Sequence, residues 1–187
     1  GYPFYDDFES GVLQPHWIVS VTGAGYVQVT DDWIPLGNKH AVMGSAADSV
    51  DSTGSLTVQL DLTGQTDVGI RFQHKEFGDE PHPEDGVFVS DDGVTWHRVI
   101  SLEDATNNYE SRWVTLDPLL PGLGIAFNST FRVRFQWRDN FDIPSDGSAF
   151  DEIEIGPGVG VAPPAGPELN LVRMQAPMLW ERGFDVG

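Results

Sequence analysis

Hydrophobic and polar residues alternate along most of this chain with a period of two, the spacing of a half-buried strand. Over residues 55–62, Leu56, Val58, Leu60 and Leu62 fall on one face, with Thr57, Gln59 and Asp61 on the other. Residues 68–75 set Val68, Ile70, Phe72 and His74 against Arg71, Gln73 and Lys75. Residues 130–138 set Phe131, Val133, Phe135 and Trp137 against Arg132, Arg134, Gln136 and Arg138. Residues 86–90 and 95–100 flank the polar turn Ser90-Asp91-Asp92-Gly93, which reads as a hairpin. In residues 149–155 the alternation places Asp151, Ile153 and Ile155 on one face and Phe150, Glu152 and Glu154 on the other. Apolar 3,4 periodicity is lacking, and 21 Gly with 13 Pro punctuate the chain. The expected fold class is all-β: roughly nine to eleven short strands in an antiparallel jelly-roll β-sandwich. A short helical or irregular turn is expected in 115–127, around Leu119, Leu120 and Leu123.

The strand pattern stops at Ile155, which predicts a sandwich domain over 1–156. A Gly/Pro linker follows over 157–167. The arm 168–187 carries Leu169, Leu171, Met174 and Trp180, too few apolar residues for a core of its own. It reads as the start of a following domain or as a strand added to an identical subunit. The chain begins at Gly1 with no signal-peptide pattern, so it reads as a processed product or a piece of something longer.

Composition narrows the partners. With 10 basic and 29 acidic residues, the net charge of −19 repels nucleic acid and anionic lipid and attracts divalent cations. No apolar run is long enough to cross a bilayer, so membrane insertion is not expected. The absence of cysteine removes disulfides, thiolate metal sites and cysteine catalysis. An acidic, cysteine-free, Trp- and Gly-rich chain fits a secreted or cell-surface bacterial protein that uses calcium where others use disulfides.

Three stretches, in order, carry a family likeness. Phe4-Tyr5-Asp6-Asp7-Phe8-Glu9-Ser10-Gly11 with Trp17 resembles the first strand of MAM-like and reelin-type jelly-roll modules. Residues 84–96 resemble the hairpin that such modules share with domains attached to secreted bacterial peptidases. Residues 131–135 and 146–155 resemble their last strands. The resemblance implies a concanavalin/MAM-like sandwich in which the first and last strands lie side by side and hold calcium between them. MAM domains usually carry disulfides, and this chain has none. The tail 167–177 and 183–186 resembles the first strands of a CARDB-type immunoglobulin-like domain.

Carried onto this sequence, the likeness assigns calcium to Glu9 and Asp151. Asp7, Asp48 and main-chain carbonyls of residues 38–40 are further candidates, because calcium takes six to eight hard oxygens. A second candidate is a basic face. If the strands of 68–75 and 130–138 are neighbours, their polar faces combine Arg71, Gln73, Lys75, Arg132, Arg134, Gln136 and Arg138, whose planar guanidinium and amide groups suit carboxylates, sulfates or sugar hydroxyls. The competing expectation is that these cations pair with acids on adjacent strands. Trp33 and Trp113 are expected near loops, where they would stack on sugar rings, and Trp17, Trp96 and Trp137 in or at the edge of the core. Catalysis is not expected: Glu152 and Glu154 lack the third acid of a glucanase strand, and no histidine or serine signature is present. The expected function is a non-catalytic, calcium-stabilised structural or adhesion module of a bacterial surface protein, with its arm docked on a neighbour. The alternative is a carbohydrate-binding module.

Overall fold

The computed structural model of the chain describes residues 1–78, 82–139 and 146–163. Among these residues eleven strands and one helical turn are formed: β1 (Phe4–Asp6), β2 (Trp17–Thr22), β3 (Gly25–Thr30), β4 (His40–Ser45), β5 (Ser52–Leu60), β6 (Val68–Glu76), β7 (Gly86–Ser90), β8 (His97–Ser101), β9 (Glu110–Thr115), α1 (Leu120–Leu123), β10 (Phe131–Asp139) and β11 (Ser148–Pro157). The arm residues Leu169, Leu171, Met174 and Trp180 lie outside the described residues.

Two antiparallel sheets face each other. The six-stranded sheet runs β3-β4-β11-β6-β9, with β1 paired to the far half of β11. The five-stranded sheet runs β2-β5-β10-β7-β8. The chain ends of the sandwich therefore meet: Phe4, Tyr5 and Asp6 oppose Ile155, Glu154 and Ile153. The short helix falls within the 115–127 stretch that lacked strand periodicity.

The period-two pattern sets the core. Leu56, Val58 and Leu60 of β5 and Phe131, Val133, Phe135 and Trp137 of β10 point inward to meet Ile70 and Phe72 of β6 and Phe150, Ile153 and Ile155 of β11. Aromatic edges interlock the sheets. Phe135 makes near-perpendicular contacts with Trp17, Phe72 and Phe150 at 6.1, 5.2 and 5.7 Å between ring centres. The buried Asp6 carboxylate accepts hydrogen bonds from Trp17 Nε1 (2.8 Å) and the Phe8 amide (2.9 Å), tying β1 to β2.

One irregularity re-aims the last strand. Between Asp151 and Glu154 the ladder with β6 slips at a bulge, and Glu152 takes a left-handed φ of 47°. Phe150 opposes the core residue His74, whereas Asp151 opposes outward-facing Gln73 and Glu154 opposes Arg71. The simple alternation over 149–155 therefore fails: Phe150 is core and Asp151 is not on the face of Ile153. A bulge inserts one residue into the period and swaps the faces beyond it.

Candidate functional site

The outer face of the five-stranded sheet carries transverse rows of mostly polar residues. Residues paired across a ladder share a face, so one transverse row reads Ile18, Thr57, Arg134, Phe88 and Arg98. The next reads Ser20, Ser55, Gln136, Gly86 and Ser101. Gln59, Arg132 and Ser90 lie on one side of these rows, and Thr22, Thr53 and Arg138 on the other. Trp96, just before β8, lies beneath the Arg134 guanidinium, whose carbon stands 3.5 Å from the ring centre. Arg134 donates to Gln136 Oε1 at 3.2 Å, and Gln136 donates onward to the Glu84 carbonyl at 3.0 Å. Arg132 donates to Gln59 at 3.2 Å. Its guanidinium rests against Gly93, which has φ +75° and where a Cβ would occupy the same space. The result is a shelf of planar groups with a half-buried indole set into it, over largely buried Ser55, Thr57, Ser90 and Gln136.

The charged groups at the margins are engaged. Arg138 pairs with Asp51 at 2.9 Å and with Glu84, and Arg98 pairs with Glu103 at 2.7 Å. The Asp51 and Glu103 carboxyls are held below their usual range by these partners. The two central guanidiniums differ: among the described residues no carboxylate lies within 4.0 Å of Arg132 or Arg134. Burial lowers the pKa of Arg134, and no acid offsets it.

The combined basic face is not formed. β6 belongs to the six-stranded sheet and β10 to the five-stranded one, so Arg71, Gln73 and Lys75 lie on the opposite side of the sandwich from Arg132, Arg134, Gln136 and Arg138. Alternation tells which side of a strand is polar; it does not tell which strand lies beside it. On the six-stranded sheet the expected cross-strand pairing prevails. Arg71 binds Glu154 at 2.5 Å, and Gln73 donates to Ser111 at 2.7 Å. Lys75 is buried, donating to the carbonyls of Trp33 and Ile34 beneath the Tyr109 ring. Those two residues have φ of 65° and 60°. Trp113 is exposed at the β9 edge, and Trp33 stacks on Phe77 with ring centres 4.5 Å apart. Trp17 and Trp137 are core residues. Trp96, expected in the core or at its edge, is half-buried outside the core cluster, under the Arg134 guanidinium.

A cleft of about 310 Å³ lies where β1 meets β11, lined by Tyr5, Asp7, Glu9, Leu36, Gly37, Asn38, Asp151 and Glu152. Three of the four expected calcium ligands, Asp7, Glu9 and Asp151, therefore share one cleft. Asp48 is exposed on the β4–β5 loop and does not line it. Glu9 receives the Asn38 amide at 2.6 Å, the Asn38 side chain at 2.8 Å and the Lys39 amide at 3.1 Å, which hold its carboxyl low. Asp151 accepts the Glu152 amide at 2.7 Å through Oδ1, while its buried Oδ2 has no hydrogen-bond partner. Burial first, then the Glu152 and Glu9 charges, push this carboxyl up to about 7. Among the described residues no three acidic or histidine side chains converge closely enough to hold a metal as they stand.

No family model and no curated protein matches this chain. Its likeness is to solved structures. The CBM22-1 xylan-binding domain of Paenibacillus barcinonensis Xyn10C superposes with a TM-score of 0.54 at 15% identity, covering 86% of this chain and 95% of that one. The family 11 carbohydrate-binding module of the cellulosomal cellulase Lic26A-Cel5E of Clostridium thermocellum gives 0.51 at 13% identity, covering 86% and 95%. An exo-β-agarase gives 0.55 at 12% identity, this chain covering 26% of it. At such identities the likeness establishes the fold: a two-sheet jelly-roll of the kind found in carbohydrate-binding modules. No helix among the described residues is long and apolar enough to cross a membrane.

Proposed function

We propose that this chain is a non-catalytic polysaccharide-binding module whose ligand lies across the outer face of the five-stranded sheet. The observation that carries the reading is the shelf itself. Trp96, Arg134 and Gln136 form one hydrogen-bonded and stacked unit, flanked by the exposed Ser20 and Ile18, with Ser55 and Thr57 largely buried beside it. Pyranose rings offer an apolar face and a rim of hydroxyls, and such a surface matches both. The likeness to carbohydrate-binding modules supports the same reading. It takes the place of the adhesion reading, which depends on the docking of an arm outside the described residues. On this reading the module works outside the cell, as part of a secreted or surface-attached protein.

Affinity electrophoresis through gels containing xylan, mixed-linkage glucan, galactan or agarose tests the proposal. One of these is expected to retard the wild-type chain, with affinity about ten-fold weaker in Trp96→Ala and Gln136→Ala. Trp113→Ala is expected to bind as wild type. Loss of binding in Trp113→Ala alone would move the site to the six-stranded sheet.

We also propose that the β1–β11 cleft takes a calcium ion, as the family likeness implied. The buried Asp151 Oδ2, with no protein partner, supports this; Asp7, Glu9 and the carbonyls of residues 37–38 would complete the oxygen set. Such an ion would clip the first strand to the last. Calcium at a hundred times its dissociation constant is expected to stabilise the fold by about 2.7 kcal/mol. The thermal midpoint in calcium and in chelator reads this, and Asp151→Asn is expected to abolish the difference. Equal midpoints in the wild type would refute the site.

A further inference from the structure

We infer that the ligand of the five-stranded face is an acidic polysaccharide, one that presents a carboxylate or sulfate to Arg134 and Arg132. The inference rests on the proposed binding face and names what that face selects. In a chain of net charge −19, a guanidinium without an acid beside it is unusual. Five of the Lys and Arg side chains among the described residues, Lys39, Arg71, Arg98, Arg112 and Arg138, have carboxylate partners within 4.0 Å. Lys75 is buried under the carbonyls of Trp33 and Ile34. Arg132 and Arg134 remain. They stand two residues apart on β10, side by side on the outer face, with roughly 7 Å between their positions along the strand.

Their surroundings are built to hold guanidinium planes rather than to neutralise them. Trp96 supports Arg134 from below, and Gln136 takes one N–H. Gln59 takes the Arg132 Nε–H, and Gly93 leaves room for its guanidinium. The partners are an indole, two amides and a glycine, all neutral. A guanidinium half-withdrawn from water and fixed in orientation suits a planar or tetrahedral oxyanion, and charge-assisted bonds of this kind are about twice as strong as neutral ones. The acids that flank the shelf, Asp51, Glu84 and Glu103, are already held by Arg138 and Arg98 and sit at its margins. Two guanidiniums on one face suit a sugar carboxylate or sulfate seated beside an apolar ring, whereas nucleic acid is opposed by the net charge of −19 over the rest of the chain. An acidic peptide would use the guanidiniums but leave the Trp96 and Ile18 surface without a role.

The test compares matched polysaccharides in gels: polygalacturonate against its fully methyl-esterified form, dextran sulfate against dextran, and poly-L-glutamate as a non-sugar polyanion. The charged glycan of at least one pair is expected to bind about ten-fold or more tightly than its neutral twin. The pair that discriminates tells carboxylate from sulfate. Arg134→Gln, its fold checked by circular dichroism, is expected to erase that preference while residual binding of the neutral chain persists. Arg134→Lys is expected to restore only part of it, since the charge returns without the plane. Equal binding within both pairs, in a protein that binds neutral glycans, overturns the inference and leaves the polysaccharide-binding reading standing. Poly-L-glutamate bound as tightly as the acidic glycans overturns the sugar selectivity. Failure to bind any polysaccharide overturns both readings.

Discussion

Phe135→Ala is expected to lower the folding free energy by about 4 kcal/mol, the usual range for removing a buried ring. Phe135 is fully buried at the middle of β10, the central strand of the five-stranded sheet. Its edges and faces meet Trp17 from the same sheet and Phe72 and Phe150 from the opposite one. The cavity left by alanine would therefore open between the layers, where three rigid rings cannot all close in. A domain of this size has roughly 5–15 kcal/mol to lose, so the variant would be folded but marginal. Urea unfolding reads the effect as a lower midpoint with an unchanged slope. A loss below about 1 kcal/mol would mean that the two sheets do not share the aromatic core described above.

Glu76→Gln is expected to stabilise the protein at pH 8 by about 3 kcal/mol and to change little at pH 4. Glu76 is buried at the end of β6, where desolvation, and then the charges of Asp85 and Asp104, push its carboxyl up to about 7 against a smaller opposing pull from Arg112. Asp85, also raised to about 7 mainly by burial, accepts the Arg138 and His82 amides. Asp139 and Glu103 raise it further. A buried acid with a raised folded pKa keeps its proton longer in the native state than in the unfolded chain. Its contribution is favourable at low pH and is lost as pH climbs from about 4.5 to about 7. The histidines work the other way. Burial lowers His40 to about 4 and His74 to about 3, so the unfolded chain takes up protons first and stability falls as pH drops below 6.5. The two trends cancel in part in the wild-type profile. The difference between wild type and Glu76→Gln isolates one of them, and a difference independent of pH would contradict the burial argument.

Much of the sandwich was legible in the chain because alternation is a local signal. The β5 and β10 faces read correctly down to Leu56, Val133 and Phe135, since each side chain's direction follows from its neighbours two residues away. The pairing of β1 with β11 came from the family likeness, as no local rule links residues about 150 positions apart. Three features were out of reach for the same physical reason. Which sheet a strand joins is set by long connections, so Arg71 and Arg134 could not be seen to lie on opposite sides. The bulge at Asp151–Glu154 adds a residue without any change in composition, so Phe150 and Asp151 were assigned to the wrong faces. Trp96 read as core or core edge because it is large and apolar; only the close approach of Arg134 shows that it borders a surface. Tyr5 and Phe88, which line the cleft and the shelf, carried no signal as site residues.

The most direct measurement is a map of amide chemical-shift changes on titration with an oligosaccharide of whichever polysaccharide retards the chain. The account predicts changes concentrated at Trp96 and its indole N–H, Arg132 to Gln136 of β10, Ser55 to Thr57 of β5 and Phe88 of β7. Changes confined to the six-stranded sheet, around Trp113, Arg71 and Tyr5, would contradict it.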